Sequence, residues 1–560
     1  MSRLRGWRGR MRRHTSLRRR AAVLSAALLL ALIAAVIAVA DPGGWQSPAR
    51  DRGPARGSTT ATAPNTPAPV PTTTSSAQSL SSTPAPIAAA PVNATVSLVP
   101  GASATPLPRS FFGFSIEVWD AMHDAQYLPL FKRAVNLVRV PGDGPFVLRI
   151  GGNSTDQSYW HHRLPGGTPI SFELGQTWLH SVAAIVRALH ARAILGLNAV
   201  ARLPGMAASE ARAVLHALPV HSVVGFEIGN EPDLYWYRFR VQFASDSHSV
   251  LGLAAQDGIF SPAGYARTFA AYAKALRRVA PTTPLVGPAV SNPLRGLRWL
   301  TRLIHHDRAS VGMLTAHRYP LSACVHNPSS PLYPSISRLL SPQASAGMAD
   351  SVRKAVALAH RNGLKFRLTE FNSVTCLGRL GVSNTFATAL WAPDAMFQLL
   401  RAHVDGINLH LRIDSPNAPF VLGPGGFDAR PAFYGLVAFA RMLGPGARLA
   451  PVNLHVRGAR LSAWAVLLGR HRLHLLVLDK SDRPARVRLE LRDGRGAAAV
   501  ERLLAPSIGA EQGVTFAGQS LNSSGHWIGR RVVGRVGRSD GSYALSVQAY
   551  SGALVDVAIR

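Results

Sequence analysis

The chain has 560 residues, 47% of them hydrophobic, and a formal net charge of +32 at pH 7. This length predicts more than one domain. Outside the basic N terminus the positive charge is scattered and forms no block interleaved with aromatics, which argues against a nucleic-acid-binding protein. An arginine-rich surface favours acidic substrates through its field, although a biased composition explains the same charge.

The first 40 residues are typical of an export signal or a membrane anchor. Residues 1–20 are basic, and residues 21–40 form an apolar segment long enough to span a bilayer. Ala38-Val39-Ala40 also fits a signal-peptidase site, so a cleaved signal peptide and an uncleaved anchor both remain open. Basic flanks stay in the cytoplasm. We therefore expect an extracytoplasmic protein, secreted or anchored through residues 21–40.

A low-complexity segment separates this leader from the folded part. Residues 41–92 are rich in Pro, Thr, Ser and Ala, which predicts a disordered or extended spacer. Residues 93–110 contain a predicted strand near Ala94–Val99. We expect that strand to join an accessory domain formed by the C-terminal residues.

Residues 111–446 alternate short apolar runs with segments of helical period. The alternation predicts an α/β fold, specifically a (β/α)8 TIM barrel. A doubly wound open sheet is the alternative, but its usual phosphate-binding glycine loop is absent. The predicted strands are Phe111–Glu117, Phe146–Gly151, Ala193–Asn198, Val223–Gly229, Pro284–Gly287, Met313–His317, Lys365–Glu370 and Gly406–His410. The predicted helices include Phe172–Ala191, Ala263–Val279, Ser351–Asn362 and Thr385–His403.

Residues 447–560 lose the helical period and contain predicted strands separated by Gly, Asp and Ser. This pattern predicts an antiparallel β-sandwich. The predicted strands are Leu461–Leu468, His471–Leu478, Ala485–Leu491, Gly541–Gln548 and Ala553–Ile559.

Two glutamates at predicted strand ends form the main candidate site. Glu231 lies in Gly229-Asn230-Glu231-Pro232, and Glu370 lies in Thr369-Glu370-Phe371. Retaining hydrolysis of a glycosidic bond needs one carboxylic acid and one carboxylate about 5 Å apart, and active sites of TIM barrels lie at the carboxyl ends of the strands. We therefore expect Glu231 to be the general acid/base and Glu370 the nucleophile, with Asn230 bonding a sugar hydroxyl.

Other polar residues at strand ends are candidates for supporting roles. Tyr319 is positioned to donate a hydrogen bond to Glu370, and Arg149 to orient it; packing and a structural ion pair are the respective alternatives. His317 is a supporting candidate, and Glu117 a candidate acceptor for sugar hydroxyls. Four aromatics are candidates for stacking on sugars, or for packing in the barrel: Trp119, Tyr235, Trp236 and Tyr237.

The chain has two cysteines, Cys324 and Cys376. They lie in the loops after the sixth and seventh predicted strands, which are neighbours in a barrel, and a disulfide persists outside the cytoplasm. We expect them to be bonded. We expect no metal site, because there is no H-E-x-x-H motif and the adjacent pairs His161-His162 and His305-His306 would point apart.

These stretches together resemble glycoside hydrolase family 79, in the clan of retaining (β/α)8 enzymes. The resemblance runs from about Asn93 to Arg560 and also includes Phe112–Glu117, Leu148–Ser154, His317–Cys324 and Gly381–Trp391. It implies the same roles for Glu231 and Glu370, with Glu117, Asn153 and Asn230 around the sugar. It also implies that backbone amides of a glycine-rich loop, here Cys376–Arg379 with Gly378, hold a sugar carboxylate. Leu377 stands where a second glycine is implied, and Arg379 is a candidate to bind that carboxylate directly.

The leading functional hypothesis is an exported retaining β-glucuronidase that acts on a carbohydrate substrate, an acidic glycan or glycoside, without a cofactor. A clan member for a neutral sugar, of the arabinofuranosidase or xylosidase type, is the second hypothesis. The third is a non-catalytic surface protein that binds glycans. The sequence leaves the aglycone, endo or exo cutting and the oligomeric state open.

Overall fold

A computed structural model describes residues 90–140, 142–161, 172–238 and 258–560. Its centre is a closed barrel in which each strand pairs in parallel with the next, and the eighth pairs with the first. The predicted TIM barrel is therefore confirmed. The strands are β1 Phe112–Glu117, β2 Val147–Gly151, β3 Arg192–Leu197, β4 Val223–Ile228, β5 Leu285–Val290, β6 Val311–Arg318, β7 Lys365–Phe371 and β8 Gly406–Leu411.

All eight predicted strands are present, and no end differs from the prediction by more than three residues. Strands of a parallel barrel are covered by helices and filled inside, so they appear in sequence as short apolar runs. Residues of β1, β2 and β5 are buried at every position. A closed barrel brings the carboxyl ends of all eight strands to one rim.

Helices cover the outside of the barrel. The main ones are Asp120–Gln126, Leu128–Val138, Gln176–Leu189, Pro204–Ala217, Pro262–Leu276, Leu297–Asp307, Met348–Arg361, Phe386–Arg401 and Pro431–Met442. The prediction of a helix from Phe172 was wrong at its start. Phe172–Leu174 is a short strand paired with Ser158–Trp160, and the helix begins at Gln176, directly after Gly175 in extended conformation.

Two further sheets pack on each other beside the barrel. One has the strand order Val452–Val456, Val92–Leu98, Ala485–Glu490, Ser542–Val547 and Arg538–Ser539. The other contains Thr105–Pro106, Arg448–Ala450, Leu461–Leu468, Arg472–Asp479, Ser551–Ile559, Gly494–Leu504, Thr515–Phe516 and Gly534–Val536. A shared apolar core, including Val96, Leu475 and Val555, lies between them.

The sandwich differs from the sequence prediction in the direction of one strand and in the strands that it contains. Val92–Leu98 pairs in parallel with Ala485–Glu490, so that sheet is mixed. The prediction also missed Gly494–Leu504, the longest strand of the sandwich, whose Gly, Ala and Arg residues lack the β-branched and aromatic signal on which strand prediction relies.

The predicted leader, residues 1–40, and nearly all of the spacer at 41–92 lie outside the described residues. Among the described helices, none is both long and apolar enough to cross a membrane.

Candidate active site

The candidate residues meet at the carboxyl-end rim of the barrel. Glu117 ends β1, Glu370 lies near the end of β7, and Glu231 follows β4 by three residues. Arg149 lies within β2 and His317 within β6, one residue before the end of that strand. Glu117, Arg149 and His317 are fully buried, and Glu231 and Glu370 are 7% exposed.

A sharp turn after β4 positions Glu231. Gly229 has φ 74°, and a Cβ there would lie 2.2 Å from the hydroxyl of Tyr235, so only glycine fits. Glu231 itself has φ 53°, and its N–H donates to the carbonyl of Ala289 at 3.0 Å. A non-glycine residue in this region is uncommon and needs support from its surroundings.

Asp156, which the sequence analysis did not single out, supports that turn. One carboxylate oxygen accepts the N–H of Asn230 at 2.9 Å and the hydroxyl of Tyr235 at 2.8 Å. The other accepts the N–H of Ala199 at 2.9 Å. Burial raises the pKa of Asp156 to about 6, although these three donors favour its ionised form. The buried carboxyl group thus ties the loop after β2 to the turn that presents Glu231.

Glu370 is surrounded by donors. Tyr319 Oη donates to Oε1 at 2.7 Å, and Arg149 Nη1 donates to Oε2 at 3.1 Å. His410 Nδ1 lies 3.3 Å from Oε1. Burial alone would raise the pKa of Glu370, but His410, His317 and Arg149, with the Tyr319 hydrogen bond, hold it well below its usual range. This environment keeps Glu370 ionised.

Arg149 links its own strand, β2, to β1, β4 and β7. Its guanidinium group, fully buried, donates to Glu227 Oε2 at 2.9 Å, Asn230 Oδ1 at 2.8 Å and Ser115 Oγ at 3.2 Å, besides Glu370. Glu227, also fully buried, accepts a second bond from Thr369 Oγ1 at 2.8 Å. The sequence analysis missed Glu227 as the main counter-ion of Arg149.

His410, on β8, is connected to Glu370 through the hydroxyl of Tyr319. His410, near the end of β8, has Nδ1 2.9 Å from Tyr319 Oη and Nε2 3.6 Å from Glu117 Oε1. Because the tyrosine hydroxyl donates to Glu370, His410 Nδ1 donates to Tyr319. Burial opposes protonation of His410, but the charges of Glu370 and Glu117 raise its pKa. Sequence reasoning missed this histidine, although its place at the end of a predicted strand was a usable signal.

The carboxylate of Glu117 lies inside the protein at the end of β1. Glu117 is fully buried, and one carboxylate oxygen accepts the N–H of Ser154 at 2.9 Å. Burial raises its pKa, but His410, Arg412 and Ser154 together lower it. Its contacts are therefore with His410 and the loop after β2.

Glu231 and Glu370 face each other across His317. Nδ1 of His317 is 2.9 Å from Glu231 Oε1 and 3.7 Å from Glu370 Oε2. Carboxylate oxygens of the two glutamates and a ring nitrogen of His317 all lie within 4.8 Å of one another. Arg149 Nη2 lies 3.5 Å from His317 Nε2. A guanidinium group only donates, so Nε2 accepts and Nδ1 carries the proton given to Glu231.

These three residues also form a group that, by distance, could hold a metal ion. Their ligand atoms are already engaged: Nδ1 of His317 donates to Glu231, and Glu370 accepts from Tyr319 and Arg149. Arg149 would repel a cation bound there, so the cation would have to displace it from Glu370. The donor set fits a hydrogen-bonded pair of carboxylates better than a metal site.

Asn230 and Asn153 meet beside the two glutamates. Asn230 Nδ2 donates to Asn153 Oδ1 at 3.2 Å, and Asn230 is fully buried. Tyr235 is fully buried too, which places it in the packing of the barrel rather than on a sugar-binding surface. Trp236 and Tyr237 are 49% and 70% exposed.

The loop after β7 contains three successive residues with positive φ: Cys376 at 57°, Leu377 at 72° and Gly378 at 95°. A Cβ on Gly378 would lie 2.9 Å from the backbone nitrogen of Asn417, so this position requires glycine on both counts. The side chain of Leu377 is exposed, and its carbonyl accepts a hydrogen bond from Ser415. Leucine thus adopts the left-handed conformation that a glycine would take more easily.

A disulfide and a pair of short parallel strands hold that loop. The predicted disulfide between Cys324 and Cys376 is confirmed. Leu321–Ser322 pairs in parallel with Val374–Thr375 directly beside it. The guanidinium group of Arg379 lies 4.8 Å from the ring centroid of Tyr333 and stacks on it.

No family model and no curated protein matches the sequence. Solved structures match over most of the chain. A 4-O-α-L-rhamnosyl-β-D-glucuronidase from Fusarium oxysporum has a TM-score of 0.66 and 17% identity, covering 82% of this chain and 99% of that chain. A family 51 arabinofuranosidase from Xanthomonas axonopodis pv. citri has a TM-score of 0.57 and 13% identity, covering 83% and 100%. A family 44 endoglucanase from Clostridium thermocellum has a TM-score of 0.54 and 12% identity, covering 83% and 100%.

At these identities the likeness establishes a shared fold, a (β/α)8 barrel with an attached β-sandwich. Fold alone does not define an activity, so the chemistry has to be argued from the site.

Proposed function

We propose that the protein is a retaining glycoside hydrolase in which Glu370 is the nucleophile and Glu231 the general acid/base. The observation that carries this proposal is the approach of the two carboxylates to within 4.8 Å at the rim of the barrel. Retaining enzymes hold their carboxyl groups about 5–5.5 Å apart, whereas inverting enzymes need about 6.5–9.5 Å to admit a water molecule.

The surroundings of each glutamate suit its proposed role. Glu370 attacks the anomeric carbon as a carboxylate, and Arg149, His317 and His410 favour that charge. Glu231 donates a proton to the departing oxygen and then activates the water that releases the sugar. As the ester forms, Glu370 loses its charge, and Tyr319 and Arg149 keep its oxygens in place through hydrogen bonds.

For the sugar, we propose a β-linked uronic acid. The solved structures with this fold include one that is titled a rhamnosyl-β-D-glucuronidase. The tight turn at Cys376–Gly378 supports the proposal as well, because backbone N–H groups in a turn form concavities that bind anions. Leu377 does not prevent that backbone conformation, which removes the main objection to a carboxylate-binding loop in this chain.

A neutral sugar is the second candidate. Several structures that share the fold are titled arabinofuranosidases. In addition, the guanidinium group of Arg379, the candidate to bind a sugar carboxylate, stacks on the ring of Tyr333. We also propose that the enzyme acts outside the cytoplasm, since its disulfide would be reduced inside.

Hydrolysis of 4-nitrophenyl β-D-glucuronide, compared with the matching glucoside, xyloside and α-L-arabinofuranoside, tests these proposals. We expect the glucuronide to be preferred, with the anomeric configuration retained in the product followed by NMR. Preference for a neutral sugar would refute the uronic-acid proposal and leave the mechanism standing. An inverted product, or turnover that survives in Glu370→Ala, would refute the mechanism.

A further inference from the structure

The acid/base candidate has an unusual partner. The guanidinium group of Arg238 forms an ion pair with Glu231 Oε2, while His317 Nδ1 lies 2.9 Å from Oε1. Both oxygens of Glu231 therefore accept hydrogen bonds from donors in the free protein. A general acid has to carry a proton on one of these oxygens when the substrate is bound.

The two donors differ in how easily they can leave. The His317 side chain is fully buried and held between Glu231 and Arg149, whereas the side chain of Arg238 is 26% exposed. Oε2 is thus the oxygen whose partner is partly exposed, whereas the partner of Oε1 is a fully buried histidine. Arg238 must therefore move from Oε2, or share it, when the leaving group arrives.

The charge of Arg238 cannot be removed, because a guanidinium group stays protonated in proteins. While it is paired with Glu231 it occupies Oε2, the oxygen that is not in contact with His317. An anionic group on the leaving group would take over the guanidinium group and free Oε2 to hold a proton. A neutral leaving group has no such exchange to offer.

We propose that Arg238 determines specificity on the leaving-group side by exchanging Glu231 for a carboxylate or sulfate on the aglycone. The inference rests on the proposed function. In this exchange the C1–O bond breaks, the bond between C1 and Glu370 forms, and the proton of Glu231 passes to the departing oxygen. Arg238 transfers no proton in this step and contributes only its positive charge.

Arg149, unlike Arg238, is not free to exchange its partners for a substrate anion. It is fully buried and donates to four partner residues, so it cannot turn to a substrate. Asp156, whose ionised form Arg238 also favours, is itself fully committed to Ala199, Asn230 and Tyr235. Glu231 is therefore the partner that an incoming anion would replace.

The test uses 4-carboxyphenyl and 4-carbamoylphenyl glycosides of the preferred sugar, which differ in the charge of the aglycone. We expect kcat/KM of the full-length protein to favour the carboxyphenyl glycoside by about fivefold, the size of one partly exposed ion pair. Arg238→Gln should reduce the ratio to about one, and Arg238→Lys should keep part of it. High salt should lower the wild-type ratio. Arg472→Gln, which removes an exposed ion-paired arginine of the sandwich, serves as the matched control.

A purely structural role for Arg238 would change kcat/KM for both glycosides alike and leave their ratio unaltered. An aglycone ratio equal in wild type and Arg238→Gln would overturn this inference alone. Absence of turnover on every glycoside would instead refute the proposed function.

Discussion

Replacing Arg149 by methionine should destabilise the protein severely, because it leaves Glu227 as a buried charge without its cation. Both side chains are fully buried, and their closest nitrogen–oxygen distance is 2.8 Å. Breaking a buried ion pair by removing one partner costs about 3–5 kcal/mol. We expect a loss of this size in the free energy of unfolding, measured with urea and tryptophan fluorescence. Arg472→Met, in which the lost ion pair is exposed, should cost about 0–1 kcal/mol.

A second substitution separates the buried charge from other causes. Glu227→Gln in the Arg149→Met background removes the unpaired charge and keeps an oxygen for the bond from Thr369. The double variant should regain most of the lost stability but not the activity, because Glu370 still lacks its contact with Arg149. An Arg149→Met variant that loses less than about 1 kcal/mol, or a double variant without recovery, would refute this reasoning.

Four further predictions concern the site and its loops. Glu370→Ala should lower kcat by about three orders of magnitude or more on a 4-nitrophenyl glycoside; near-normal turnover would exclude it as the nucleophile. Glu231→Ala should be rescued by azide with formation of a β-glycosyl azide, identified by NMR, and an α-azide would contradict retention. His410→Gln should reduce stability most below pH 6.5 and progressively less at higher pH: burial opposes its protonation, but neighbouring carboxylates raise its pKa above 6.5, so its contribution is lost as pH rises through the folded-state pKa. A difference between the two urea midpoints that is constant from pH 5 to 9 would contradict this. Replacing Cys324 and Cys376 by serine should cost about 2–4 kcal/mol of unfolding free energy, since the disulfide closes a loop across 52 positions; unchanged stability would show that the link does not constrain the unfolded chain.

The positions of the two candidate glutamates were predictable from sequence, although their catalytic roles stay a prediction. Glu231 and Glu370 each follow an apolar run, and the carboxyl ends of barrel strands meet at one rim. Cys324 and Cys376 were paired by the same argument. Glu227 and Asp156 were not found, because each acts through partners 40 or more positions away that only the closed barrel brings into contact.

In the β-sandwich, too, strands with a local sequence signal were predicted and a strand that depends on distant contacts was not. Leu461–Leu468 was predicted with both ends correct, because its short run of apolar side chains marks a strand locally. Gly494–Leu504 was missed because its small and charged residues carry no such mark, and pairing with Ser551–Ile559 holds it in the sheet.

The sequence by itself determined the eight strands, the barrel they form and the position of the two glutamates. A parallel strand buried on both faces requires a contiguous apolar run, which is visible in the sequence. The end of each run then locates the residues at the rim. Only the tertiary structure decided the state of those glutamates. The ion pair of Arg238 with Glu231 and the approach of His410 through Tyr319 to Glu370 depend on how loops from separate strands meet at the rim. Electrostatic interactions act through distance in space and vary with burial, neither of which a linear sequence records.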